Sequence, residues 1–268
     1  MAYASHAMIP RLFTPLALSQ GAIVPLHEAA SHHASRVLRL GSGAAIELFD
    51  GRGQAADARI VTTSPVTARI EHLHPPVAPP ALHLTLAQCI SAADKMDWTI
   101  EKAVELGVAA IVPLQSDKAI VKLSAERAAR RHQHWQRLIL AASAQSRQNR
   151  IPDLQPASRL EDWLRAGRAA DEVQADEKDE ALRLILDPRA SQSLPAVMAG
   201  RQADGDGGML PRHVVLLCGP ESGFSELELR QATRTGWLPA ALGPRVLRTE
   251  TAGLAALAVL QACWGDLR

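Results

Sequence analysis

Three short segments in the C-terminal third of the chain combine glycine, proline and charge more densely than turns require. They are Asp187-Pro188-Arg189-Ala190-Ser191, Gly219-Pro220-Glu221-Ser222-Gly223-Phe224 and Gly243-Pro244-Arg245-Val246-Leu247-Arg248-Thr249-Glu250. Each begins directly after an apolar run, ending at Leu186, Cys218 and Leu242 respectively. Glycine lets backbone approach a ligand closely, proline removes conformational freedom, and the helix starts that follow aim N–H groups into the same space. A single loop of this kind reads as a strand-to-helix turn, with Ser225 and Glu228 forming a capping box and Thr249 capping the last helix. Three at successive strand ends read as a binding site. Familiar nucleotide motifs do not compete: the chain has no Gly-x-x-x-x-Gly-Lys, and Gly41-Ser42-Gly43 follows a helix rather than a strand.

The elements that must position these loops can be read from periodicity. After Pro75-Pro76-Val77-Ala78-Pro79-Pro80, strand-like and helical segments alternate: a strand over Leu82–Cys89, a helix over Asp94–Leu106, a strand over Ala110–Leu114 and a long helix from Ser124 to about Ser146. Strands follow at Leu182–Leu186, Val214–Cys218 and Leu238–Leu242, with helices at Glu226–Thr235 and Glu250–Trp264. Apolar strands alternating with helices predict a parallel sheet covered on both faces, whose ligands sit beyond the carboxyl ends of the strands. Before the prolines, Leu26–Leu40 has apolar residues at helical spacing (Ala30, Ala34, Val37, Leu38) and stops at Gly41. Alternation over Ala45–Phe49, the turn Asp50-Gly51-Arg52-Gly53 and Ala58–Val61 predict a hairpin. The expected organisation is therefore a small β-rich domain over 1–74, a stiff linker at 75–80 and an α/β domain over 81–268.

The 268 residues include 47% hydrophobic and 21% charged residues, as in globular proteins with a substantial core. Cys89, Cys218 and Cys263 lack the paired spacing of disulfide or zinc frameworks, so no metal is expected and a reducing compartment fits. The most apolar run, Ala252–Trp264, is shorter than the roughly 20 residues that span a bilayer. A cytoplasmic protein without membrane contact is the expectation. The net charge of +1 hides two opposed stretches. Lys118–Arg150 carries eight Lys or Arg against the single acid Glu126, a candidate phosphate-binding face, whereas Asp171–Glu180 carries six acids against Lys178 and reads as a solvated loop.

The strings Leu217-Cys218-Gly219-Pro220-Glu221-Ser222-Gly223-Phe224-Ser225 and Leu242-Gly243-Pro244-Arg245-Val246-Leu247-Arg248-Thr249-Glu250-Thr251-Ala252 closely resemble the family that methylates N3 of a uridine in 16S ribosomal RNA. Further blocks resemble it in the same order: Arg36-Val37-Leu38-Arg39, Leu48-Phe49-Asp50-Gly51, Lys95-Met96, Glu105-Leu106-Gly107-Val108 and Gln148-Asn149-Arg150-Ile151-Pro152. The resemblance implies a SPOUT-class methyltransferase using S-adenosylmethionine, with a C-terminal trefoil-knot domain preceded by a PUA-like barrel that grips RNA, working as a homodimer on the small ribosomal subunit. Composition alone would not suggest a knot. Ser222 departs from the glycine that the family commonly has there.

Methyl transfer from a sulfonium needs alignment more than a metal, and the weakly acidic uracil N3 proton must leave before or during attack. Glu221 and Glu250 are the candidate bases, and Arg245 and Arg248 could stabilise an anionic base or hold phosphate. Glu250 would also suit the first turn of the last helix through its dipole alone. The cofactor is expected on Leu186, Pro188, Gly219, Pro220, Glu221, Gly223, Leu242, Gly243, Val246, Leu247, Arg248, Thr251 and Ala252. RNA is expected on Arg11, Arg36, Arg39, Lys95, Arg147 and Arg150. Arg127, Arg130 and Arg131 have the spacing of a solvated helix face. Trp98 and Trp135 lie at helical positions beside Ile100, Val104 and Leu138 that favour the core over base stacking. Two other readings compete: a methyltransferase of the same fold acting on ribose 2′-hydroxyls, and an RNA-binding assembly factor without catalysis.

Overall fold

A computed structural model describes residues 9–119, 124–173, 181–204 and 210–267. The chain divides into two compact units, one of residues 1–79 with 140–151 and the other of residues 80–139 with 152–268.

The first unit is built on β1 (Arg11–Phe13), β2 (Ile23–Pro25), α1 (Glu28–His32), β3 (Ala45–Phe49), β4 (Ala55–Thr63) and β5 (Val66–Leu73). Its mixed sheet has the order β1-β3-β4-β5-β2, with β1 parallel to β3 and the other pairs antiparallel. The predicted hairpin is β3–β4, paired from Ala45↔Arg59 to Phe49↔Ala55. Its core joins the inward positions of alternating strands, Ile46, Leu48, Ala58, Ile60, Ala68 and Ile70, to Ala30 and Ala34. The helix predicted over Leu26–Leu40 is corrected. After α1 the chain widens into a π-helix at His33–Val37, with Leu38 N–H bonded to His33 O. Widening the turn rotates the following side chains away from the α-helical stripe. Ala30 and Ala34 are buried as expected, and Val37 and Leu38 are exposed. The hairpin turn requires its glycines for closeness. At Gly53 φ is +118°, a Cβ would stand 2.5 Å from the Val77 carbonyl oxygen, and the Gly53 N–H donates to Asn149 O.

The second unit runs β6 (His83–Cys89), α2 (Ala93–Glu105), β7 (Ala110–Gln115), α3 (Ala125–Gln145, whose residues from Leu140 belong to the first unit), β8 (Asp153–Leu154) and β9 (Ser158–Arg159). It continues with α4 (Leu160–Val173), β10 (Leu182–Leu186), α5 (Leu194–Asp204), β11 (His213–Cys218), α6 (Glu226–Arg234), β12 (Leu238–Ala240) and α7 (Thr249–Trp264). All its strands are parallel, in the order β12-β10-β11-β6-β7-β8 with β9 also on β7. The two central strands, β11 and β6, are buried almost throughout, as a sheet covered on both faces demands. The result is the expected α/β architecture, a parallel-sheet domain following a small β-rich unit. Residues 174–180 of the acidic run lie outside the described residues, as does Lys122 of the basic stretch.

Helix α7 lies on β6 and β11 with Gly253 at the closest approach: a Cβ there would be 3.1 Å from Cys218 Sγ and 3.2 Å from Gln88 Oε1. Leu254, Ala256, Leu257, Leu260 and Trp264 form its buried face. Trp135 is fully buried and its indole N–H donates to Asp97 Oδ1 at 3.0 Å. Trp98 corrects the expectation that both tryptophans are core: it is 45% exposed, on a face of α2 that neighbouring elements leave open.

Candidate active site

The carboxyl ends of β10, β11 and β12 open onto one cavity of about 590 Å³, within the usual range for small-molecule sites. Its walls come from all three loops singled out in the sequence, from Leu186 to Arg189, from Cys218 to Phe224 and from Leu242 to Glu250. Of the residues expected to hold a cofactor, Leu186, Pro188, Gly219, Pro220, Glu221, Gly223, Leu242, Val246, Leu247, Arg248 and Ala252 line it, as do the candidate catalysts Arg245 and Glu250. Gly243 and Thr251 do not. Gly243 has φ +81° and serves the turn, and Thr251 is exposed one residue beyond Glu250 on α7.

Two straps fix the second loop. Thr249 is the first residue of α7 rather than its N-cap, which is Arg248 and makes no side-chain cap bond. Its hydroxyl is drawn instead to Gly219 O, while Gln88 Nε2 donates to Thr249 Oγ1 at 3.0 Å. The cap expected at Thr249 is thus replaced by a tie between loop and helix. The second strap is the expected capping box of Ser225 and Glu228, with an addition. Glu228 is 2% exposed and accepts from Ser225 N–H, Ser116 Oγ–H and Asp117 N–H, at 2.6, 2.7 and 3.0 Å. Lys118 lines the cavity and donates to Phe224 O, and Ser222 Oγ donates to Lys118 O at 2.9 Å. The turn after β7 is thereby stapled to the loop after β11. Gly219 packs directly on the Phe224 ring, which a Cβ would approach to 3.0 Å.

The end of β6 contributes as well. Beyond β6, Lys95 in the first turns of α2 reaches the cavity and places Nζ 3.7 Å from Oε1 of both Glu221 and Glu250. The Ala92 N–H donates to Glu221 Oε1 at 3.3 Å. Glu250 Oε2 is buried and has no hydrogen-bond partner among the described residues. At the opposite wall Arg189 pairs with Asp187 and Glu226, which raises its pKa above the ordinary value. Among the described residues no cluster of His, Cys, Asp and Glu could hold a metal ion.

Lys95, expected on RNA, therefore sits in the cavity wall. The basic residues expected on RNA in the first unit divide. Arg36 and Arg39 are exposed, Arg39 with φ +52°. The Arg11 side chain is 4% exposed: it donates to Glu47 Oε1, Ser143 O, Gln148 O and Asn149 Oδ1 and stacks over Phe49. Burial pushes its pKa down, with Glu47 opposing. As placed, it organises residues 143–149. Arg147, at φ +60°, pairs with Glu47 at 2.6 Å with its side chain exposed, and Arg150 Nε donates to Val77 O. The residues not assigned to the cavity from the sequence, Lys118, Asp187, Arg189, Phe224 and Glu226 among them, have signals only in part: Asp187, Arg189 and Phe224 lie in the loops themselves, whereas Lys118 opens the basic stretch, whose composition points to phosphate rather than to this cavity.

Comparison with known proteins agrees with this geometry. Residues 78–261 match the model of an RNA methyltransferase domain and residues 26–71 that of an RNA methyltransferase PUA domain. The ribosomal RNA small subunit methyltransferase E of Buchnera aphidicola (Schizaphis graminum) is 28% identical over 97% of this chain and 98% of its own. A ribosomal RNA small subunit methyltransferase E from Neisseria gonorrhoeae, solved with bound S-adenosyl methionine, is 35% identical with a TM-score of 0.80, covering 97% of this chain and 100% of that one. A putative methyltransferase from Legionella pneumophila, in complex with the same cofactor, is 35% identical with a TM-score of 0.82, covering 97% and 99%. The loops, the parallel sheet behind them and the β-rich unit before them have one explanation: the chain belongs to the RNA methyltransferase family that joins a PUA domain to this catalytic fold.

Proposed function

We propose that the protein transfers a methyl group from S-adenosylmethionine to N3 of one uridine in the 16S RNA of the small ribosomal subunit, acting in the cytoplasm as a homodimer. The observation that carries the reading is the single cavity at the ends of β10, β11 and β12, lined by backbone-rich loops in a chain similar over nearly its whole length to small-subunit RNA methyltransferases. The residues fit the cofactor. Leu186, Leu242 and Leu247 offer apolar contacts for an adenine, and the exposed peptide groups of the Gly-Pro loops offer donors and acceptors for its edge and for ribose. Bound there, S-adenosylmethionine supplies an electrophilic methyl group. The protein's own work is to hold the uracil in line, exclude water, and accept the N3 proton or stabilise the anion it leaves, for which Glu221, Glu250, Arg245 and Arg248 all face the cavity. RNA affinity is assigned to Arg36, Arg39, Arg147 and Arg150, with Arg11 and Lys95 acting inside the protein.

The test is mass mapping of small-subunit RNA from cells lacking the protein: one uridine N3 methyl group is lost and returns on complementation. Retention of all such groups sinks the uridine assignment, and failure of the purified protein to bind S-adenosylmethionine in titration calorimetry sinks the enzyme assignment.

A further inference from the structure

Lys95, Glu221 and Glu250 carry between them one net negative charge in the wall of the cavity, since a single ammonium lies 3.7 Å from both carboxylates. Glu221 has the Ala92 N–H as a further donor. Glu250 has less compensation. Its side chain is 13% exposed and its Oε2 is cut off from solvent with no hydrogen bond among the described residues, so beyond Lys95 these leave it only the positive end of α7, in whose first turn it lies. A buried carboxylate in that condition is costly unless a cation completes its surroundings. The other charges facing the cavity do not supply one. Arg189 is engaged by Asp187 and Glu226, Lys118 is turned to Phe224 O, and Arg245 and Arg248 are exposed, where water screens them.

We propose that this corner reads the positive charge of the cofactor's sulfonium, so that the protein holds the methyl donor more tightly than the neutral thioether left after transfer. The inference rests on S-adenosylmethionine being the cofactor. In the reaction the S–CH₃ bond breaks as the N3–CH₃ bond forms, the sulfur keeps the electron pair and loses its charge, and the N3 proton passes to a base or to solvent. The sulfur thus loses its positive charge at each turnover. A sphere of 590 Å³ is about 10 Å across, comparable with one screening length at physiological salt, so a charge in the cavity is only partly screened from the corner. Partial burial of the corner strengthens that attraction over its value in water. Once the sulfonium is gone the attraction goes with it, and product release is favoured.

The signs of the corner's residues give the test its force. Calorimetric titration of the purified protein with S-adenosylmethionine and S-adenosylhomocysteine yields an affinity ratio in which any general effect of a substitution on folding cancels. The intact protein is expected to prefer the sulfonium by about fivefold to tenfold. Glu250→Gln and Glu221→Gln should each bring the ratio toward one, while Lys95→Met, which leaves the carboxylates unopposed, should raise it. An intact protein without preference, ratios unmoved by all three substitutions, or ratios moving the same way in Lys95→Met and Glu250→Gln would overturn the proposal. Absence of binding by either compound to the intact protein would instead remove the cofactor assignment on which it stands.

Discussion

Arg11 and Lys95 show how little a basic residue's type says about its place. In the sequence both look like phosphate ligands; in the structure both are held by carboxylates, Arg11 by Glu47 in the first unit and Lys95 by Glu221 and Glu250 in the second. No periodicity marks the difference, because the partners are 36, 126 and 155 residues distant. Arg11 supports a prediction. Arg11→Met leaves Glu47 6% exposed with Arg147 alone and frees the carbonyls of Ser143 and Gln148, so thermal or urea unfolding should show a loss of about 3–5 kcal/mol, the usual cost of breaking a buried pair. Loss of RNA affinity at unchanged stability would return Arg11 to the RNA surface. The cysteines support a second. Burial pushes the thiol pKa of Cys89 and Cys218 well up, so neither forms the thiolate that alkylates. Mass spectrometry after iodoacetamide at pH 8 should find both unmodified in the folded protein and modified in urea.

At the scale of elements, the sequence was most legible where one physical rule acts alone. The runs Leu182–Leu186 and Ala45–Phe49 coincide with β10 and β3, each a short apolar run interrupted by one charged residue, Arg183 and Glu47. The short β1, β2, β8 and β9 gave none: three residues or fewer cannot display a period, and they exist because a neighbouring strand offers its edge. The helix after α1 misled for a different reason, since a π-turn changes the period inside the element. The strap through Glu228 was half legible, the capping box being local and the bonds to Ser116 and Asp117 not. That second half is testable. Glu228→Gln would set an amide N–H₂ against one of three buried donors, and about 1–3 kcal/mol should be lost, with S-adenosylmethionine binding weakened through the loop that Glu228 holds. Unchanged stability and affinity would reduce the strap to an ordinary cap. Gly253 is the corresponding point on α7: Gly253→Val should cost about 1–3 kcal/mol by overpacking against Cys218 and Gln88, read as a lowered unfolding midpoint.

At the scale of the whole molecule, the alternation of strands and helices was enough for the α/β class, and the three loops were enough for the position of the cavity. The boundary within the chain was less legible. The proline run at 75–80 marks a change of unit, yet residues 140–151 rejoin the first unit through contacts such as Gly53 N–H to Asn149 O, which composition cannot foretell. Association of two copies is the remaining question at this scale, and α7 frames it. From Ala252 onward the helix carries no charged residue, and only one face is buried within the chain. Ala255, Ala258 and Val259 are half-buried and Ala262 is exposed, a strip of small residues against which another backbone could lie closely. An apolar helix face left open to water marks a surface for association. The 28.8 kDa chain should therefore scatter light as a particle of twice that mass at micromolar concentration. Ala258→Arg should return it to the mass of one chain, since a charge forced into a desolvated contact opposes association while costing an isolated chain little at a half-exposed position. A monomeric intact protein would count against the dimer, and a dimer that Ala258→Arg leaves whole would move its interface to another surface.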